Sequence, residues 1–301
     1  MKRTISSLKE LPDTALNFEI NDETLAVKVT YQNGYYDAMA LSGDEFPEKA
    51  ANANEVQQFS LPAKNIAAGI GHTLFAVGKD DMHPQFTGIY WDIKPDMIVF
   101  VASDSHKLVR YRQTNVKPEF ERSFILPSKP ASILASVIDR NSEEPINITV
   151  DETSATFENN NFQLSCRFIN GRYPNYNSVI PEDNPFTMAV DRMTLLNAVR
   201  RVAVFANVGG LVRLDLNPDH VVLTSQDVDH STAAEETIQC EYNGEPMNIG
   251  FKSADVIDVV SNIDSEGVYL KLLDPARAGV FVPSEQQAGE DLIVLQMPMM
   301  I

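Results

Sequence analysis

The sequence predicts an α+β chain of tandem modules, each two helices packed on antiparallel β-meanders, in one partial and two complete copies. Three observations carry that prediction. Shifting the sequence by 123 residues lays WDIKPDMIVFVASD on LDLNPDHVVLTSQD, so that Pro95 meets Pro218 and Asp104 meets Asp227. An aromatic residue or methionine followed by proline closes each unit, at Phe46–Pro47, Tyr173–Pro174 and Met297–Pro298. A helix-then-strand pattern recurs three times, as SSLKELPDTALNFEI, ASILASVIDRNSEEPINITV and SADVIDVVSNIDSEGVYLKL. Solenoid repeats have periods of roughly 20–50 residues, so this longer period marks whole domains.

Residues 1–57 read as half a module. A short helix with Ile5 and Leu8 ends at Pro12, and strands follow in LNFEI, TLAVKVTY and YYDAMAL. Asn33–Gly34 joins the last two, a dipeptide favoured between paired strands. The helix and hairpin that open the other modules have no counterpart here, which predicts an apolar sheet and helix face that is exposed unless missing residues or a partner cover it. Small polar residues at 48–57 suit a linker. The central module, 58–184, opens with a helix whose Ile66, Ile70, Leu74 and Val77 fall at helical spacing behind Pro62. Alternating Ile89, Trp91 and Ile93, a turn at Lys94–Asp96, and Ile98 with Phe100 then predict a meander. A second helix carries Pro130, Ile133, Leu134, Val137 and Ile138, and two strands close the unit at Gly171–Pro174. The third module, 185–301, repeats the plan, with Asp191 as N-cap and Leu195, Val199 and Val202 facing inward.

The chain has 301 residues, 24 Lys and Arg against 42 Asp and Glu, and a net charge of −18. That balance argues against a broad basic grip on nucleic acid. The helices nevertheless carry Lys2, Arg3, Lys9, Lys64, Lys129, Arg140, Arg192, Arg200 and Arg201, so a shared helix side would be far less negative than the rest. Cys166 and Cys240 lack metal-ligand spacing and point to a reducing compartment. No stretch has the apolar core of a signal peptide or membrane span, which predicts a cytoplasmic protein. Ser103–Lys107 (SDSHK) groups Ser, Asp and His, yet no G-x-S-x-G elbow accompanies it, and a catalytic triad assembles in space rather than along the chain. No phosphate-binding glycine loop is present, and no metal or cofactor is expected. The Met-rich end, Leu295–Ile301, fits either a last core strand or one wall of an adaptable groove.

The three look-alike domains, the ASDSHKL block, GRYPNY and the MPM tail together resemble the beta subunit of bacterial DNA polymerase III, the replicative sliding clamp, lacking the first half of its domain one. The resemblance covers essentially the whole chain. It implies a non-catalytic homodimeric ring of clamp-fold domains, helices inward, which encircles double-stranded DNA. It also implies a pocket that takes short linear motifs from the replicative polymerase and the clamp loader. The matching pocket residues are Phe86, Ser103, Ser105, His106, Lys107, Leu108, Pro174, Val179, Ala276, Ala278, Leu295, Gln296, Met297, Pro298, Met299, Met300 and Ile301. DNA contacts carried over are Lys129 and the loop Lys79, Asp80, Asp81, Met82, His83, Pro84, Gln85, with Arg200 and Arg201. The ring interface would join Tyr35, Tyr36 and Ala38 to Val204 and Phe205 of another chain. The pattern departs from the family at Ser105, where glycine is common, and at Lys107 and His83, where arginine is common. A protein-interaction module without a DNA role, and a hydrolase centred on His106, are the competing readings.

Overall fold

The computed structural model describes residues 2–45, 56–80 and 82–301. The Phe46–Pro47 dipeptide, most of the linker expected at 48–57 and Asp81 lie outside them. Two compact units result, residues 1–52 and 53–301.

The first unit holds α1 (Lys2–Lys9) and an antiparallel sheet of β1 (Asn17–Asn21), β2 (Ala26–Tyr31) and β3 (Gly34–Met39). The hairpin turns one residue earlier than its Asn–Gly signal suggests: Tyr31 pairs with Gly34, leaving Gln32 and Asn33 as the turn. Pairing sets Phe18, Ile20, Val27, Val29, Tyr36 and Ala38 on one face. Val29 is buried, whereas Phe18 and Ile20 are more than half exposed, as the half-module predicts.

The second unit begins with β4 (Gln57–Pro62), α2 (Ala63–Thr73), β5 (Gly88–Lys94), β6 (Met97–Ser103), β7 (Lys107–Gln113), β8 (Arg122–Pro127), α3 (Ser128–Val137), β9 (Pro145–Val150), β10 (Ser154–Glu158) and β11 (Gln163–Arg167). It continues through β12 (Phe186–Asp191), α4 (Arg192–Ala203), β13 (Leu211–Leu216), β14 (His220–Asp227), β15 (Thr232–Gln239), the short β16 (Glu241–Tyr242), β17 (Met247–Lys252), α5 (Ser253–Ser261), β18 (Gly267–Leu272), β19 (Gly279–Pro283) and β20 (Glu290–Gln296). The order β7-β6-β5-β8 recurs as β15-β14-β13-β17, and β11-β10-β9-β4 recurs as β20-β19-β18-β12. The sequence repeat is therefore a repeat of topology, and α1 to β3 follow the pattern of α3 to β11.

β20 pairs antiparallel with β7, fusing one sheet from each repeat into a continuous nine-stranded sheet. Val109 and Tyr111 from β7 and Leu292 and Val294 from β20 join one core with Ile66 and Ile70 of α2, Leu134 of α3, Val199 of α4 and Val256 of α5. On the other face the connector between the repeats crosses the sheet. Its Tyr173 and Tyr176 pack on Val99, Val101, Leu108 and Leu295, and its Ile180 reaches Val280 and Ile293.

Local chemistry explains the element ends. The Asp191 carboxylate accepts the Thr194 N–H at 2.7 Å and caps α4 as predicted. Pro62 is the residue before α2 rather than inside its first turn, which places no demand on its missing N–H. α2 ends at Thr73, so Leu74 continues as a 3-10 turn and Val77 is extended. Ala131 and Leu134 of α3 and Ile138 just after it are buried, but Ile133 and Val137 are 41% and 49% exposed. Their spacing places them off the buried stripe.

The contact between α2 and the sheet depends on Gly69. A Cβ there would meet the buried Phe100 ring at 2.4 Å. Gly69→Ala should destabilise the fold by about 1–3 kcal/mol through overpacking, outweighing a helix-propensity gain of about 1 kcal/mol. A lower urea midpoint at unchanged slope checks this.

Candidate functional site

Three segments meet where the two repeats join: the β6–β7 hairpin tip, the C-terminal tail and the start of α5. The tip is tied by its own side chains. Ser103 Oγ donates to the Lys107 carbonyl at 2.8 Å, and Asp104 Oδ1 accepts the N–H groups of His106 and Lys107 at 3.0 and 2.9 Å. Ser105 occupies the left-handed region with φ 76°. The β7–β20 ladder ends at Lys107 opposite Gln296. Beyond it Met297 N–H donates to the His106 carbonyl and Met299 N–H to the Gly250 carbonyl, both at 2.8 Å. The tail therefore straps the hairpin tip to β17, immediately before α5.

Lys107 is 6% exposed, and its ammonium turns to Asp104 Oδ2 at 2.6 Å and Asp255 Oδ1 at 3.0 Å. Burial pulls the Lys107 pKa down, but the hydrogen bonds and charges of the two carboxylates overcome this and raise it. Burial pushes Asp104 up, and its bonds from the Lys107 ammonium and from backbone N–H groups more than offset that and lower it. Asp258, one turn further along α5, is raised by burial, with Asp255 adding to the effect. The tip is held ionised from both sides.

The predicted pocket residues divide into three sets. Leu108, Ala278 and Leu295 are buried in one apolar cluster, against which half-buried Phe86 packs; Phe86 also meets the Tyr173 ring edge-on at 5.8 Å. Ser105, His106, Pro174, Val179, Ala276, Met297, Met300 and Ile301 are exposed, Met300 by 98%, with Pro298 and Met299 partly covered. Ser103, Lys107 and Gln296 are buried, so the Lys107 ammonium offers no open charge at the surface. Of the two readings of the tail, the core strand holds as far as Gln296, where β20 ends, and the residues after it are exposed or half-covered. Sequence reasoning missed Asp255, which carries no signal except its place in the first turn of α5. It also missed the pairing of Tyr176 Oη with Asp92 Oδ2 at 2.7 Å, which pins the connector.

Of the residues carried over as DNA contacts, Lys129, Arg200 and Arg201 lie on the helices, whereas the loop borders the hairpin tip, with the His83 ring 6.3 Å from that of Phe86. Lys129 is exposed at the start of α3 and forms no ion pair with the described residues. Arg200 lies within 3.4 Å of Ser261, while Arg201 is bound to Glu236 of β15, with Nε to Oε2 at 2.9 Å. In the loop, His83 Nδ1 pairs with Asp80 at 3.2 Å, Lys79 is exposed and Gln85 is half-buried. A cleft of about 760 Å³ opens on the helix side, with Lys64, His72, Arg140, Glu143 and Asp264 in its walls. Of the interface residues, Val204 and Phe205 are exposed at the end of α4, which packs beside β15. Tyr35, whose ring lies 4.8 Å from Lys28 Nζ, is exposed on the outermost strand of its sheet. Among the described residues no three His, Cys, Asp or Glu side chains converge to hold a metal, and no helix is long and apolar enough to cross a membrane.

The repeat, the shared sheet and the strapped hairpin tip define a chain of tandem two-helix modules. Comparison with known proteins gives the family. The family model described as DNA polymerase III beta subunit, central domain, matches residues 60–175, and that of the C-terminal domain matches residues 177–299. The beta sliding clamp of Synechococcus elongatus is 29% identical over 268 residues, covering 86% of this chain and 70% of the relative. That of Bacillus subtilis is 24% identical over 261 residues, covering 85% and 68%. Among solved structures, a sliding clamp of Pseudomonas aeruginosa bound to griselimycin superposes with TM-score 0.90 at 22% identity, covering 100% of this chain and 80% of the other. The DNA polymerase III beta subunit of Thermotoga maritima gives TM-score 0.87 at 23% identity, covering 98% and 79%. The chain belongs to the family of the bacterial DNA polymerase III beta subunit, the sliding clamp, a processivity factor without catalytic activity of its own.

Glycine and serine differ in a measurable way at position 105 of the hairpin tip, where φ is 76°. A non-glycine residue at positive φ carries strain that glycine lacks. Ser105→Gly should stabilise the protein by about 0.5–1 kcal/mol, because the relief exceeds the added unfolded-state entropy. The thermal midpoint should rise by a few degrees.

Proposed function

We propose that two copies of this chain close head to tail into a ring around duplex DNA and tether partner proteins at the groove beside the β7–β20 junction. The observation that carries the reading is that junction itself. Here the β7-type edge of one module pairs with the β20-type edge of the next. Three edges of the same types remain among the described residues: β15, which occupies the β7 position in the last module, and β3 and β11, which occupy the β20 position in the first and central modules. Pairing β15 of one chain with β3 of another repeats the internal junction between chains, and heterologous contacts of one geometry close a ring when the rotation is right. Tyr35, Tyr36 and Ala38 lie on β3, and Val204 and Phe205 flank β15, which supports their interface role. The modules are taken as 1–57, 58–184 and 185–301, and the working compartment as the cytoplasm.

A ring holds DNA by topology, so strong phosphate contacts are unnecessary. Affinity from counterion release grows with the number of neutralised phosphates, and a chain of net charge −18 offers few cations to neutralise them. Lys129, Arg200 and the Lys79–Gln85 loop then serve as weak guides. The groove suits the apolar anchors of a short peptide from the polymerase or clamp loader. Burying about 300 Å² of apolar peptide surface at about 25 cal/mol/Å² is worth about 7–8 kcal/mol before ordering costs, which leaves micromolar, exchangeable binding.

After loading onto nicked circular DNA by a clamp loader, the protein should stay bound while the circle is closed and be lost within minutes of linearisation. Equal loss from circular and linear DNA in a gel-filtration assay would contradict topological holding. Griselimycin, the ligand of the Pseudomonas aeruginosa neighbour, should bind here, and Met299→Ala combined with removal of Met300 and Ile301 should weaken it at least tenfold by calorimetry. An unchanged affinity would remove the tail from the groove.

A further inference from the structure

Buried polar groups are rare in this molecule and unevenly placed. Ser103, Lys107, Ser253, Asp255 and Gln296 make up half of the ten polar or charged residues found buried among the described residues, and all lie where hairpin tip, tail and α5 converge. Lys107 is the sole buried cation and Asp255 the sole buried carboxylate in that set. Desolvating an ion pair is costly unless its geometry is good, so a pair retained in such a place calls for a role other than stability.

We infer that Lys107, through its buried pairing with Asp255 and Asp104, is the positioning residue that sets the C-terminal strap as a wall of the partner groove. The inference rests on the groove reading above. Past Gln296 the tail is held by two backbone bonds, one to His106 on the hairpin tip and one to Gly250 on β17. Both bonds form only at one spacing between tip and β17. The Lys107–Asp255 pair, 3.0 Å long, fixes that spacing, because it ties the tip to the first turn of α5, which follows β17 directly. Asp104 carries the other half of the load: one oxygen shapes the tip and the other holds the ammonium, so tip shape and tip position are linked through a single side chain. Gln296 lies opposite Lys107 in the ladder, with a buried Oε1 that has no hydrogen-bond partner, so a displaced ammonium has an acceptor nearby but no second carboxylate there. The other ionic contact between the repeats, Arg110 and Arg112 with Asp291 at 2.8 and 2.7 Å, lies five residues back along β20, on the connector side of the sheet. It provides an internal control.

The test combines hydrogen exchange with griselimycin titration on the full chain. Asp255→Asn and Lys107→Met should speed exchange of the Met297 and Met299 amides at least tenfold and weaken griselimycin by a similar factor, while β13 and β14 keep their protection. Lys107→Arg should restore both. Asp291→Asn should lower the melting temperature without altering tail exchange or affinity, which separates positioning from general stability. If Lys107→Met does not fold, Asp255→Asn decides, since it keeps the side chain's size and leaves the strand ladder intact. Unchanged tail exchange and affinity in folded Asp255→Asn, or equal effects from Asp291→Asn, would overturn the proposal. If the unaltered protein fails to bind griselimycin, the groove reading falls, and the exchange arm still decides whether Lys107 anchors the strap.

Discussion

Antiparallel pairing between β7 and β20 is the constraint on which the rest of the molecule depends. Each module ends in open strand edges, and an open edge recruits another strand. The repeat supplies edges of complementary type, and one chain can satisfy only some of them internally. Backbone hydrogen bonds carry little specificity, so side chains select the register: Leu108 faces Leu295, Val109 faces Val294, and Arg110 and Arg112 share Asp291. A slip of one residue would turn Val109 and Tyr111 out of the core and bring the arginines in. The register that fuses the modules is thus the register that builds the core, and it also delivers Lys107 to Asp255 and Met297 to His106.

Charge is managed on the same plan. The chain is strongly acidic, yet several helix cations are already engaged: Arg201 with Glu236 and Lys64 with Glu143. Those pairs are exposed and contribute little to stability, but they lower the positive potential of the helix side. A surface left with scattered cations attracts a polyanion only weakly. Tight local phosphate binding would oppose sliding.

Much of this architecture was legible in the sequence because it is written in repetition. The 123-residue shift located the meanders, and local capping and apolar spacing located the Asp191 cap and the helices, without reference to tertiary contacts. Helix boundaries were less legible: Val77 kept the apolar period but lies past the end of α2, and Ile133 and Val137 kept apolar character without facing the core. Leu108, Ala278 and Leu295 share one buried apolar cluster, and their neighbours in sequence carry the pattern. Asp255 was not legible, because a partner 148 residues away from Lys107 leaves no local trace. Nor did the sequence reveal that Lys107 points inward; a lysine in a hairpin tip ordinarily faces water.

The C-terminal tail joins a fixed base to a loose end, and the contrast follows from its chemistry. At the base, Gln296 closes a strand ladder and Met297 is tied to the tip. At the end, Met300 and Ile301 project into solvent. Methionine has several rotatable bonds and a polarizable sulfur, so a methionine end moulds to different apolar partners at modest cost. A rigid end would favour one partner and a wholly loose tail would lose binding energy to ordering. In the proposed groove, anchoring the strap through a buried ion pair while leaving its end free satisfies both demands.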